Sequence, residues 1–181
     1  MNKFPTQEYL QQCFEYDSLT GLLTWKHRPL EHFKNIRGYK IFNSRNAGKL
    51  AGSLSGKENR KYVSVSIGNT EFRVHRIIWM LVTGSYPSNE IDHKNNISTD
   101  NRWINLREAT SSQNNYNQRI RSNNISGFKG VGKKPDTKKY RARITINGLE
   151  KYLGSFSTPE EAYSKYCEAS KQLHGQFSNT G

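Results

Sequence analysis

The chain has 181 residues, with 28 Lys and Arg against 15 Asp and Glu and a formal net charge of +13. That length holds one ordinary domain or two small ones, and that excess of positive charge calls for a polyanionic partner. Two distant cysteines, Cys13 and Cys167, exclude a disulfide scaffold or zinc framework, and the lack of an apolar run of roughly 18 residues excludes a membrane-spanning helix.

Residues 5–15 place Tyr9, Leu10, Cys13 and Phe14 at helical spacing after Pro5-Thr6, which predicts a short amphipathic helix. Both cysteines sit in helix-like segments among apolar neighbours and are read as buried free thiols. Tyr16 to Trp25 reads as a hairpin around Thr20-Gly21. His27 and His32 follow as solvated loop residues, with phosphate contact the alternative. Residues 33–60 are basic, rich in Gly and Asn and poor in apolar pattern, so a partly ordered loop is expected there. Tyr62 to Ile67 alternates, and Gly68-Asn69 supplies a two-residue turn into Glu71–Val74. Val74 to Val82 reads as an apolar helix, with Ile77, Ile78, Leu81 and Val82 on one side and Gly84 as its stop. Arg76, near the start of that helix, either reaches a phosphate or remains a surface residue beside a half-buried His75.

Residues 90–114 carry the densest chemistry. Asp92 and His93 end a short apolar approach through Ile91, and a loop rich in Asn, Ser and Asp follows. Arg102 to Arg107 is a strand-like run, and Thr110 with Gln113 reads as a capping box opening a helix. Asp92 supplies a hard oxygen, His93 a base, and Asn105 and Asn114 supply amides. The helix is expected to continue from Asn115 and to loosen towards Ser122-Asn123-Asn124. Residues 115–134 hold Arg119, Arg121, Lys129, Lys133 and Lys134 and no acid.

The ordered series His93, Asn105 and Asn114, with Ile91-Asp92-His93, Asp100-Asn101-Arg102 and Asn105-Leu106-Arg107 around it, resembles the ββα-metal site of HNH nucleases. The nearest likeness is to the phage homing-endonuclease branch, and it covers roughly residues 60–120. Asn stands where the third letter of H-N-H would be, as is common in that branch. The resemblance implies that His93 is the general base and that Asn105 pins the active-site loop and orients His93. It implies that Asp92 and Asn114 hold one divalent cation, Mg²⁺ first and Mn²⁺ as the alternative. The chemistry fits these residue types, because phosphodiester hydrolysis needs an activated water and a cation to hold the phosphate.

Beyond residue 126 the pattern changes. Phe128 to Val131 begins a strand. Lys139 to Ile146 alternates, with Tyr140, Ala142, Ile144 and Ile146 on one face and Arg141, Arg143 and Thr145 on the other. Asn147-Gly148 is a hairpin turn and Leu149 to Gly154 returns. Thr158-Pro159-Glu160-Glu161 opens a helix that Gly175 ends. Three antiparallel strands packed on one helix are predicted, with the other sheet face basic and bare. This unit resembles the APETALA2-type DNA-binding domain, through Gly127-Phe128-Lys129-Gly130-Val131, Tyr140-Arg141-Ala142-Arg143-Ile144, Tyr152-Leu153-Gly154-Ser155-Phe156 and Thr158-Pro159-Glu160-Glu161-Ala162. The resemblance implies DNA contact at Lys129, Lys134, Arg143 and Tyr152, and the alternation adds Arg141. Gly132 and Glu150 stand where that family usually has Arg.

The fold expected is α+β. A small ββα-metal nuclease core lies at 61–121, after an N-terminal helix, hairpin and basic loop region at 1–60. A linker at 122–127 leads to an APETALA2-like DNA-binding domain at 128–178. Residues 1–84 carry 13 basic and 6 acidic side chains, residues 85–125 carry 5 and 4, and residues 126–181 carry 10 and 5. Basic flanks around a nearly neutral centre suit a protein whose flanks hold the DNA backbone while the centre does chemistry. Arg76, Arg119 and Arg121 join the DNA-contact set. The expected activity is metal-dependent cleavage of double-stranded DNA at a recognised site, by a homing endonuclease or nickase. The alternative is a non-enzymatic, sequence-specific DNA-binding regulator. No obligate protein partner and no membrane are expected. Neither is a signal peptide, which implies a soluble protein in the cytoplasm of a bacterial or phage-infected cell. Removal of residues 126–181 is expected to leave a folded nuclease with weakened DNA affinity.

Overall fold

Alternation and turn chemistry build most of the sheet. Strand β1 (Phe14–Tyr16) pairs with β2 (Leu23–Trp25) across the Gly21 turn, Phe14 opposite Trp25. Strands β3 (Ser53–Ser55), β4 (Tyr62–Ile67) and β5 (Thr70–Arg73) form an antiparallel sheet in that order, with Val65 opposite Phe72. The computed structural model describes residues 4–56, 61–135 and 137–181, and within them the chain divides into two compact units, Met1–Glu108 and Ala109–Gly181. Among the described residues no helix is long and apolar enough to cross a membrane.

In the first unit, helix α1 (Gln7–Cys13) is capped by Thr6, and helix α3 (Val74–Thr83) follows β5 directly. Ile77 and Ile78 of α3 and Leu10 and Cys13 of α1 are fully buried, in a core with Phe14, Leu23, Trp25, Val65 and Leu106. Burying each such aliphatic side chain contributes roughly 1.5–3 kcal/mol. The core therefore fixes α3 against the sheet, and with it the residues at the helix start.

Residues 33–60, expected as loop, instead contain helix α2 (Ile36–Asn46), capped by Asn35, and strand β3; positions 57–60 lie outside the described residues. The helix escapes an apolar-period reading because its anchor is polar. Buried Asn43 accepts from the Arg28 N–H and donates to the Arg28 carbonyl, both at 2.9 Å. Arg28, itself only 5 % exposed, lies over the rings of Tyr9, Trp25, Phe33 and Phe42. His32 is likewise not a solvated loop residue: it accepts from Arg28 Nε, contacts Gln12 and stacks beside Tyr9. Cys13 is buried and Cys167 half-buried, and both are free thiols.

The strands β6 (Glu90–His93) and β7 (Leu106–Ala109) form a two-stranded sheet. Helix α4 (Ser111–Asn117) follows, opened by the Thr110–Gln113 capping box. It ends at Asn117 rather than running on towards Asn124. Strands β8 (Val131–Lys133), β9 (Tyr140–Ile146) and β10 (Leu149–Phe156) form an antiparallel sheet ordered β10-β9-β8. Asn147 and Gly148 both take left-handed φ, 49° and 82°, as a tight hairpin turn requires. Helix α5 (Pro159–His174) covers one sheet face, burying Ala162, Tyr166 and Ala169 with Val131, Ala142 and Ile144. The segment 122–127 lies inside this second unit, and the division between units falls between Glu108 and Ala109.

Candidate active site and nucleic-acid interface

The strand β6 delivers Asp92 and His93 side by side, and both are buried. The carboxylate oxygen Oδ2 of Asp92 accepts from Arg107 Nε at 2.8 Å and lies 2.7 Å from Arg107 Nη2. The guanidinium thus addresses one carboxylate oxygen with two nitrogens. Charge-assisted contacts of this kind are short and strong, and they fix the rotamer of the carboxylate.

His93 Nε2 lies 3.1 Å from Asn101 Oδ1. A protonated Nε2 suits this amide oxygen and would leave Nδ1 as the basic nitrogen. Burial lowers the His93 pKa, against the opposing pull of Asn101, Asp92 and Asp100. The ring is therefore neutral at pH 7, the state a general base requires. His75, at the start of α3, meets His93 edge to face with centroids 5.1 Å apart. Burial above all, and then the neighbouring His93, Arg76 and Arg73, push the His75 pKa down to about 3. Tyr62 packs against both rings and lies under the Arg73 guanidinium, 4.6 Å away.

Asn105 ties the loop between β6 and β7 together. Its Oδ1 accepts from the Asn95 N–H at 3.0 Å, its Nδ2 donates to the Asp100 carbonyl at 2.7 Å, and its own carbonyl accepts from the Lys94 N–H. Asn101, in the same loop, contacts the His93 ring directly. The same loop is closed from outside by the first hairpin: Tyr16 Oη donates to the Asn101 carbonyl at 2.8 Å, and the Trp103 N–H donates to the Ser18 carbonyl. Gly21 makes this approach possible, since a Cβ there would lie 2.5 Å from the Arg102 nitrogen. Asp100, hydrogen-bonded chiefly by Arg102, has its pKa lowered to about 2.

Asn114 is in helix α4 of the second unit, half-buried, with its N–H bonded to the Thr110 carbonyl. Among the described residues no group of three or more His, Cys, Asp and Glu could hold a metal ion. The Asp92 carboxylate and the Asn114 amide each offer oxygen, the ligand atom that hard divalent cations prefer.

The residues expected to contact DNA fall into three groups. Arg119, Arg121, Lys134 and Tyr152 are exposed. Arg143 stands opposite Tyr152 on β9–β10 and makes a 3.0 Å ion pair with Glu150, both side chains solvent-accessible. Arg141, on the same face, has a buried Nε with no hydrogen-bond partner in the structure. The other two are held internally. Arg76 donates to Tyr86 Oη and lies over that ring. Lys129 donates to the carbonyls of Tyr116, Gln118 and Asn179. An ammonium has three donors, so the expectation that Lys129 contacts DNA is not carried forward.

Sequence reasoning did not single out Asn101, Arg107 or His75 for a role. Asn101 and Arg107 lie within the Asp100-Asn101-Arg102 and Asn105-Leu106-Arg107 elements, so their positions were visible and their partners were not. His75 is spaced from His93 by a whole helix, and only the packing of α3 joins them.

Residues 72–116 match the HNH endonuclease family. The chain is also 32 % identical over 117 residues to an uncharacterised HNH endonuclease of Acanthamoeba polyphaga mimivirus, an alignment covering 64 % of this chain and 59 % of that protein. No solved structure matches it. The matched segment begins at Phe72 in β5, contains Asp92, His93 and Asn105, and ends at Tyr116 in α4, so the buried acid–histidine pair lies inside the segment that is similar to that family.

Proposed function

We propose that the protein is a divalent-metal-dependent endonuclease that hydrolyses phosphodiester bonds of double-stranded DNA at a recognised site. The observation that carries this reading is the buried His93 beside the Arg107-held carboxylate of Asp92, within the segment that matches the HNH endonuclease family. His93 Nδ1 takes the proton of the attacking water. Asn101 holds the imidazole tautomer, and Asn105 holds the loop on which both depend. Asp92 and Asn114 are the proposed ligands of the cation, Mg²⁺ or Mn²⁺, which supplies Lewis acidity towards the scissile phosphate. The HNH hairpin and helix form the ββα-metal arrangement in this proposal.

The second unit is the proposed DNA anchor, an APETALA2-type sheet that presents Arg141, Arg143 and Tyr152 to the groove. The unpartnered Arg141 Nε and the solvent-accessible Arg143 guanidinium favour this surface. Arg119, Arg121 and Lys134 are exposed and suited to phosphate contact, while Arg76 joins them only by leaving Tyr86. Phosphate contacts would supply affinity and base-edge contacts discrimination. One such metal site cuts one strand per binding event, as a homing nickase would.

Supercoiled plasmid carrying the native genomic context tests the reading. The expected result is nicked circles in Mg²⁺ and none in excess chelator. Binding without nicking in Mg²⁺ or Mn²⁺ would instead identify a DNA-binding regulator. Linear product without a nicked precursor would overturn the single-strand mode.

A further inference from the structure

We infer that Lys129 and Asn179 are positioning residues of the nuclease: they clamp the end of the helix that carries Asn114 and so set the direction of its amide. The inference rests on Asn114 being a metal ligand, as proposed above.

Helix α4 has seven residues. A helix this short is marginal by itself, and its orientation follows from whatever satisfies its ends. The carbonyls of its last two residues, and that of Gln118 after them, accept from groups in the C-terminal part of the chain. Lys129 Nζ donates to the Tyr116 carbonyl at 2.8 Å and to the Gln118 carbonyl, and Asn179 Nδ2 donates to the Asn117 carbonyl at 2.7 Å. The Lys129 ammonium also donates to the Asn179 carbonyl at 2.8 Å, so the two clamping residues hold each other. A cation here also complements the negative end of the helix.

The side chain of Tyr116 is fixed as firmly as its carbonyl. Its ring stacks on His174 with centroids 3.8 Å apart and planes 6° from parallel. Its hydroxyl accepts from the Asn147 N–H at 2.6 Å and donates to Asn147 Oδ1. His174 in turn donates from Nε2 to the Thr145 carbonyl at 2.9 Å. Phe177 packs with Ala109 and Tyr116 at the base of the helix. Asn114 lies one turn before Gln118, so the direction of its amide is set by this clamp. Removing residues 126–181 would delete Lys129, Asn147, His174, Phe177 and Asn179 together. The expectation that truncation leaves an intact nuclease is replaced by loss of the metal site.

The test uses the full chain with Lys129→Met, Asn179→Ala and, as reference, Asn114→Ala. Mn²⁺ binding is read by electron paramagnetic resonance in the presence of duplex DNA, and hydrogen exchange is followed at the amides of 111–117. Both are measured well below each variant's melting temperature. Lys129→Met is expected to weaken Mn²⁺ binding by roughly 10–100-fold, the usual effect of losing a group that orients a metal ligand. Asn179→Ala moves it in the same direction by less. Both speed exchange in 111–117 and leave metal-free DNA affinity unchanged. Unchanged Mn²⁺ affinity in both variants, with affinity lost in Asn114→Ala, overturns the clamp and leaves the nuclease reading standing. Unchanged affinity in Asn114→Ala overturns the ligand assignment and the clamp with it. If Lys129→Met does not fold, Asn179→Ala decides by the same criterion.

Discussion

Each of the two units holds a half-buried cation, and they hold it differently. In the first, Arg107 lies against the carboxylate of Asp92, charge against charge. In the second, Lys129 donates to three main-chain carbonyls, and burial pulls its pKa down to about 8. A guanidinium keeps its charge in such a place, while an ammonium yields readily. The Arg107 pair fixes a side chain whose oxygens matter for chemistry. The Lys129 clamp fixes backbone.

The largest effect that could break this contrast is on turnover. His93→Ala is expected to cut nicking by roughly 10²–10⁴ while DNA affinity stays near the parental value. A variant that nicks at the parental rate would remove the chemistry from the first unit. Next is the stability of that unit. Arg107→Leu leaves Asp92 charged and buried, and breaking such a pair costs about 3–5 kcal/mol. Urea titration should show this, with most of the loss recovered in the double variant Asp92→Asn/Arg107→Leu.

A smaller, pH-dependent effect sharpens the comparison. The folded pKa of His75 is about 3, against an ordinary 6.5 in the unfolded chain. As pH falls below 6.5 the unfolded chain takes up a proton that the folded chain does not. The stability His75 permits is thus fully present above pH 6.5 and declines towards pH 3, by about 1.4 kcal/mol per pH unit. His93 acts in the same sense. Denaturation of His75→Phe between pH 6.5 and 4.5 should show a shallower slope than the parent. The smallest effects lie on the sheet of the second unit. Arg143→Ala is expected to cost about 1–3 kcal/mol on a preferred site and less on random DNA, read by titration at several salt concentrations. Glu150→Gln, which releases Arg143, should tighten binding by up to about 1 kcal/mol. Weaker binding in Glu150→Gln would mean that the ion pair itself presents the arginine correctly.

How much of this was legible in the sequence follows from the kind of interaction at stake. The hairpin at Asn147-Gly148 and helix α5 were legible because alternation, turn residues and a capping box are local signals. Helix α2 was not, because Asn43 and the aromatic shell of Arg28 replace the apolar stripe that periodicity detects. Asp92, His93 and Asn105 stood out by order and spacing. Arg107 did not, because its pairing with Asp92 depends on how β6 and β7 are brought together, across 15 positions. Lys129 looked like one more cation in a basic run. Its acceptors are main-chain carbonyls, and those leave no mark on composition.

The hydroxyl of Tyr16 and the carbonyl of Asn101 meet across 85 positions of chain. Loop closure over such a distance is entropically slow, and contacts of this range tend to form late in folding. The first hairpin is complete early in synthesis, yet it can lock the His93 loop only once Asn101 and Trp103 have left the ribosome. A nascent chain therefore carries the finished hairpin well before the loop that it will hold.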